Sequence, residues 1–108
     1  MTYATKLQDG SLRFRSCAGQ RFSEVIVKNG TIIKASAGKS PTYYWDCMKK
    51  MDEAIWYMSY CPECLAELLE VLHKNNPSYE FAKSQLIERR NAIERRLNNL
   101  NRALSKLE

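Results

Sequence analysis

The residues best spaced for chemistry are two cysteines three positions apart, in Cys61-Pro62-Glu63-Cys64. Two thiolates at that spacing can clasp one Zn²⁺, and a helix beginning at Pro62 would favour their negative charge at its N-terminus. A structural zinc site needs four ligands, so Cys17, Cys47 or His73 would have to supply the other two, and none of them forms a second pair at ligand spacing. A redox dithiol wants a strand before the motif in a βαβ unit, whereas a helical pattern precedes it here. Reduced cysteines packed as small apolar residues are the simpler expectation. The sequence therefore calls for no cofactor, with a zinc-stapled domain as the alternative.

Gly38-Lys39-Ser40 has the form of a P-loop tail, but the full motif requires glycine five positions before Gly38, and that position is Ile33. The Walker reading is rejected. The same stretch, running on through Pro41, Thr42, Tyr43, Tyr44 and Trp45, sets a lysine, hydroxyls and aromatic rings around an expected helix start. Helix N-termini attract phosphate, and flat rings stack on nucleobases. Lys39, Ser40, Thr42, Tyr43 and Trp45 are thus candidate ligand-binding residues. The competing reading makes the aromatics core and Ser40 a cap, and Pro41 removes one of the N–H groups a phosphate would use.

Arginines supply the other candidates. Arg13 and Arg15 share one face of an expected first hairpin with Lys6, and Arg89, Arg90, Arg95 and Arg96 crowd the last helix. Guanidinium groups fork onto phosphates, and Arg13, Arg15, Arg89, Arg90 and Arg96 join the ligand-binding set. Glu88 and Glu94 on the same helix could absorb some of that charge. Catalysis finds little support: the single histidine, His73, ends a helix, and no nucleophile elbow, H-E-x-x-H or paired-carboxylate pattern occurs. The chain is expected not to be an enzyme.

These residues have to be positioned by a chain of 108 residues, enough for one domain with one modest core. The charge, +5 in all, is uneven: residues 1–45 carry +5, residues 46–75 carry −3 and residues 76–108 carry +3. Two basic ends around an acidic middle suit an anionic partner or a self-complementary assembly. No run approaches the roughly 18 apolar residues of a membrane span. The opening MTYATKLQDG lacks the pattern of a secretory signal, so a cytoplasmic location with reduced thiols is expected.

The first third reads as strands. Asp9-Gly10 and Asn29-Gly30 are turn pairs that tolerate φ > 0, and folding about them sets Leu7 opposite Leu12, Thr5 opposite Phe14, Val27 opposite Ile32 and Ile26 opposite Ile33. Strands are expected near 2–8, 11–17, 21–28 and 31–36, with the second hairpin the more buried one. Ser40-Pro41 reads as a helix start leading into the stripe Tyr44, Met48, Met51, Ile55 and Met58. Pro62 begins a second helix with Leu65, Leu68, Leu69 and Leu72 on its apolar face, and Ser78 reads as the cap of a long third one.

The expected fold is α+β in a single domain, 1–108. It comprises an N-terminal four-stranded antiparallel β-meander (1–37), two short helices (41–75) and one long C-terminal helix (78–108). Leu86, Ile93, Leu97, Leu100, Leu104 and Leu107 form a seam on that last helix, which points to a homo-oligomer. The function expected is that of a small regulatory protein binding a phosphate-bearing ligand. That ligand would be a nucleotide signal, which the protein could sequester, or a nucleic acid. The alternative is a protein-interaction module or inhibitor, of the bacterial or phage accessory type, that grips a protein target with aromatic anchors.

Overall fold

The structure, a computed structural model, describes residues 3–19, 21–38, 45–46 and 51–107. It is the expected α+β arrangement. Four antiparallel strands, β1 (Ala4–Lys6), β2 (Leu12–Ala18), β3 (Arg21–Lys28) and β4 (Thr31–Gly38), form a meander in chain order. A two-residue strand, β5 (Trp45–Asp46), extends the β4 edge, and three helices follow: α1 (Met51–Met58), α2 (Pro62–Val71) and α3 (Pro77–Ser105).

The Asn29-Gly30 turn forms as its residues dictate. Asn29 (φ 53°) and Gly30 (φ 77°) both take the left-handed conformation that a tight two-residue hairpin needs, and Lys28 pairs with Thr31 and Val27 with Ile32. A bulge between Ile26 and Val27 then shifts the register, so Ile26 lies opposite Lys34 and not Ile33, which is 48% exposed. β3 is buried on both faces from Ser23 to Val27, as expected for the inner hairpin.

Asp9-Gly10 behaves differently. The Leu7 N–H donates to the Ser11 carbonyl (2.9 Å) and the Gly10 N–H to the Leu7 carbonyl (3.1 Å), while the Asp9 carboxylate accepts from the Ser11 N–H (3.0 Å) and hydroxyl (2.5 Å). The Ser11 hydroxyl, then its N–H, hold the Asp9 carboxyl below the usual carboxylate range. Asp9 is thus an acceptor inside a longer loop, and the expected register is off by one: Ala4 lies opposite Phe14, Thr5 opposite Arg13 and Lys6 opposite Leu12. Because side chains alternate, that single slip takes Lys6 off the Arg13–Arg15 face.

Phe14 and its cross-strand partners Val25 and Ala35 define the inner face of the sheet, all at most 1% exposed. α1 covers it with Ala54, Ile55 and Met58, and α2 adds Cys64, Leu65 and Leu68, each fully buried. The helical segment was expected from residue 41, but Trp45–Asp46 is strand and α1 begins at Met51. Tyr44 and Met48 lie outside the described residues.

The cap of α3 is Asn76 and not Ser78. The Asn76 side chain accepts from the Ser78 N–H (2.9 Å), Pro77 takes the first helical position, and the buried Ser78 hydroxyl donates to Met51 Sδ (2.9 Å). The 29 residues of α3 span roughly 43 Å at 1.5 Å per residue. The first half of α3, as far as Arg89, packs on the body, with Tyr79, Phe81, Ala82 and Leu86 against the core. The rest projects, which explains a radius of gyration of 16.0 Å, where a compact 100-residue domain has about 13 Å.

Gly30 does two things at once. It takes a positive φ, and a Cβ there would overlap the imidazole of His73, a residue whose backbone N–H donates to the Gly30 carbonyl (3.1 Å). Gly10 also has a positive φ but open space around it. Gly30→Ala should therefore destabilise by about 2 kcal/mol or more and Gly10→Ala by about 1 kcal/mol. Urea melts that give the two variants equal losses would rule out the His73 contact.

Candidate anion-binding site

The thiols do not converge. Cys64 is fully buried, its S–H donating to the Arg15 carbonyl (3.7 Å), and burial pushes its thiol from the ordinary 9.0 up to about 12, helped by the charges of Cys61 and Glu67. Cys61 is half-buried beside the Glu63 carboxylate (3.8 Å), and its hydrogen bond with the Tyr3 hydroxyl raises that phenol above its usual value. Cys17 is exposed on the opposite face of the sheet, His73 sits past the far end of α2 against Gly30, and Cys47 lies outside the described residues. Among the described residues no group of three or more His, Cys, Asp and Glu gathers to hold a metal.

The thiol geometry has a pH consequence. The folded state favours the neutral Cys64 thiol, so its contribution to stability is complete below the unfolded value near 9.0 and is lost as pH rises from there towards 12. At pH 8 a maleimide should modify Cys17 in the native protein and Cys64 only after unfolding. Equal labelling of the two, read by peptide mass mapping, would contradict the buried thiol.

Of the residues expected around a helix start, Lys39, Ser40, Thr42 and Tyr43 lie outside the described residues, and Trp45 stands on β5 opposite Ala37. The arginines divide between two faces. Arg15 faces away from the helices and is engaged by its cross-strand partner Glu24, Nε to Oε2 at 2.9 Å. Arg13, on the same face, has a buried Nε without a hydrogen-bond partner. Arg90 reaches Glu94 one turn on (3.9 Å) and the Asn91 amide oxygen (3.4 Å), the intrahelical pairing that the sequence foreshadows. Arg96 is exposed on the projecting part of α3. These residues do not form one site.

A different cluster does form, at the rim between the sheet and the helices. The guanidinium of Arg89 lies 3.7 Å from the centre of the Tyr60 ring, and that of Arg21, from the start of β3, lies 4.2 Å from the same centre. Arg21 is also 5.9 Å from the Trp56 ring, which meets Tyr60 edge-on at 5.4 Å and is 37% exposed. Arg89 is fixed by a relay: its Nε–H donates to the Ser59 hydroxyl (3.1 Å), which donates to the Trp56 carbonyl (2.5 Å). Among the described residues no carboxylate lies within 4.0 Å of either guanidinium. Compared with protein-family models, curated proteins and solved structures, the chain matches none of them.

Two guanidinium groups on one ring stand no more than about 8 Å apart, where like charges repel by roughly 0.5 kcal/mol in water and 2 kcal/mol near a protein surface. The Tyr60 π-face offsets part of that. With its Nε–H taken by Ser59, Arg89 keeps its terminal N–H groups for an acceptor, and a guanidinium fork matches carboxylate and phosphate alike. Arg89 was legible as a candidate, but Arg21, Trp56 and Tyr60 were not. Trp56 stands in the last turn of α1 and Tyr60 in the turn just past its end, whereas Arg21 arrives only through the fold.

Proposed function

We propose that this chain is a non-enzymatic binding protein for a phosphate-bearing ligand, a nucleotide or a nucleic acid, and that it works as an assembly of copies. The observation that carries the reading is the convergence of Arg21 and Arg89 on Tyr60 without a neighbouring carboxylate among the described residues. Trp56 stands beside them, exposed enough to stack on a base. Such a protein acts by holding its ligand, as a store for a nucleotide or by occupying a nucleic acid.

The assembly half of the proposal rests on α3. Its large apolar side chains beyond Ile87 are each more than half exposed. Covering one of them contributes about 1 kcal/mol, so ten in a pair of copies bring on the order of 10 kcal/mol. Association costs roughly 4–15 kcal/mol in lost freedom, so the assembly is reversible and depends on concentration.

A protein target gripped by Trp56 and Tyr60 is the second reading, favoured by the exposure of Trp56. Salt separates the two. Titrating the protein's tryptophan fluorescence with a nucleoside triphosphate and with a short single-stranded oligonucleotide should show saturable binding that weakens steeply as salt rises. Arg21→Ala and Arg89→Ala should each weaken it about tenfold, in line with the 1.5–3 kcal/mol of a hydrogen bond to a charged group. No saturable change with either probe, or equal affinity in Arg21→Ala, would remove this reading.

A further inference from the structure

Ile93, Leu97, Leu100, Leu104 and Leu107 follow one another at spacings of 4, 3, 4 and 3, and they are 60%, 54%, 57%, 59% and 83% exposed. That is the spacing of a coiled-coil seam, and Arg90 and Leu86 continue it towards the body. At the root of the projecting part lies a groove of about 440 Å³ lined by Pro62, Leu86, Ile87, Arg90 and Ile93, with Arg89 and Glu94 at its sides.

We propose that α3 pairs with α3 of a second copy in antiparallel orientation. Leu97 then lies over Leu100 of the second copy, Ile93 over its Leu104 and Arg90 over its Leu107. This deepens the assembly half of the function proposed above and rests on it.

Three features select this arrangement. A parallel pair in register sets Arg90 against Arg90 on the seam itself, whereas the antiparallel pair sets Leu107 along the aliphatic stem of Arg90. The parallel pair would gain Arg89–Glu94 contacts between copies, but exposed pairs contribute little, and Glu94 already meets Arg90 of its own chain at 3.9 Å. Next, the flanking charges fix the register. In this one Glu94 flanks Asn101 of the second copy and Arg96 flanks its Ala103; sliding one heptad deeper would bring Glu94 to Glu94 and Arg96 to Arg96.

The third feature is the groove. In the antiparallel pair the end of each helix, with Leu104 and with Leu107 in the turn just past it, arrives at the root of the other and fills it. The parallel pair leaves both grooves without a helix tip to fill them. Five such side chains present on the order of 500 Å² per copy, and with the grooves two copies approach the roughly 1,200 Å² at which a stable interface begins. Residues 86–107 carry six Lys and Arg against Glu88 and Glu94, so the copies repel and salt should strengthen the pairing.

The test uses the full chain. Sedimentation over a range of concentrations should move the mass from 12.5 kDa to twice that value, with the midpoint falling to lower concentration as salt is raised. The variant carrying Leu97→Glu and Leu100→Glu should stay monomeric with an unchanged circular dichroism spectrum. A wild-type chain that is monomeric throughout overturns both the pair and the assembly reading, whereas one that forms trimers or larger species overturns the pair alone. The variant carrying Ile93→Cys and Leu104→Cys, mildly oxidised, should give a disulfide between position 93 of one copy and position 104 of the other. Bonds joining 93 to 93 and 104 to 104, or no cross-link in a dimer, would overturn the antiparallel orientation alone.

Discussion

The rest of the structure depends on how the inner face of the meander is covered. Phe14, Val25, Val27, Ile32 and Ala35 form one apolar surface, and an eight-residue helix, α1, lays Ala54, Ile55 and Met58 across it. Burying a side chain of this size contributes about 1.5–3 kcal/mol, far more than any ion pair on this surface, so the seat of α1 is fixed by packing. Everything beyond follows from that seat. The end of α1 carries Trp56 and Tyr60 to the rim where β3 begins, and so to Arg21. α2 turns back over β2 to bury Cys64, Leu65 and Leu68, and α3 crosses both helices, which brings Arg89 to the same ring.

What was legible in the sequence is what local chemistry decides alone. Asn29-Gly30 fixes its turn because both residues accept positive φ and nothing nearby competes. The faces of α1 and α2 were readable from spacing, since Ile55, Met58, Leu65 and Leu68 have one place to go. Asp9-Gly10 carried the same signal and misled, because Ser11 offers the Asp9 carboxylate two donors and makes a longer loop the better solution. The Ile33 bulge was unreadable for a similar reason: with apolar residues on both faces of the hairpin, the pattern does not penalise a slip by one.

The site was less legible than the fold because its members differ in what surrounds them and not in what they are. Arg15 and Arg21 both lie on the meander, six positions apart, on opposite faces. Arg15 meets Glu24 directly across the ladder and is neutralised there, while Arg21 meets aromatic rings and, among the described residues, no carboxylate. A count of basic residues cannot separate these cases. The reading of residues 39–45 as a phosphate cradle rested on a helix start, and the strand at Trp45–Asp46 removes the helix from those two positions at least.

Arg89 belongs to both proposed surfaces. It lies against Tyr60 in the ligand site and also lines the groove at the root of the α3 seam. In the proposed pair the two copies would carry like charge along their helices, so an anion held at Arg89 would remove part of what opposes their pairing. Ligand and assembly are then linked, and linkage is reciprocal: if the anion favours the pair, the pair must bind the anion more tightly by the same factor. Salt acts on the two equilibria with opposite signs, weakening the ligand by screening its attraction and strengthening the pair by screening its repulsion. A chain that kept only one of the two surfaces would show one of these signs and not the other, whereas coupling itself shows as a pairing midpoint that moves when an anion is added.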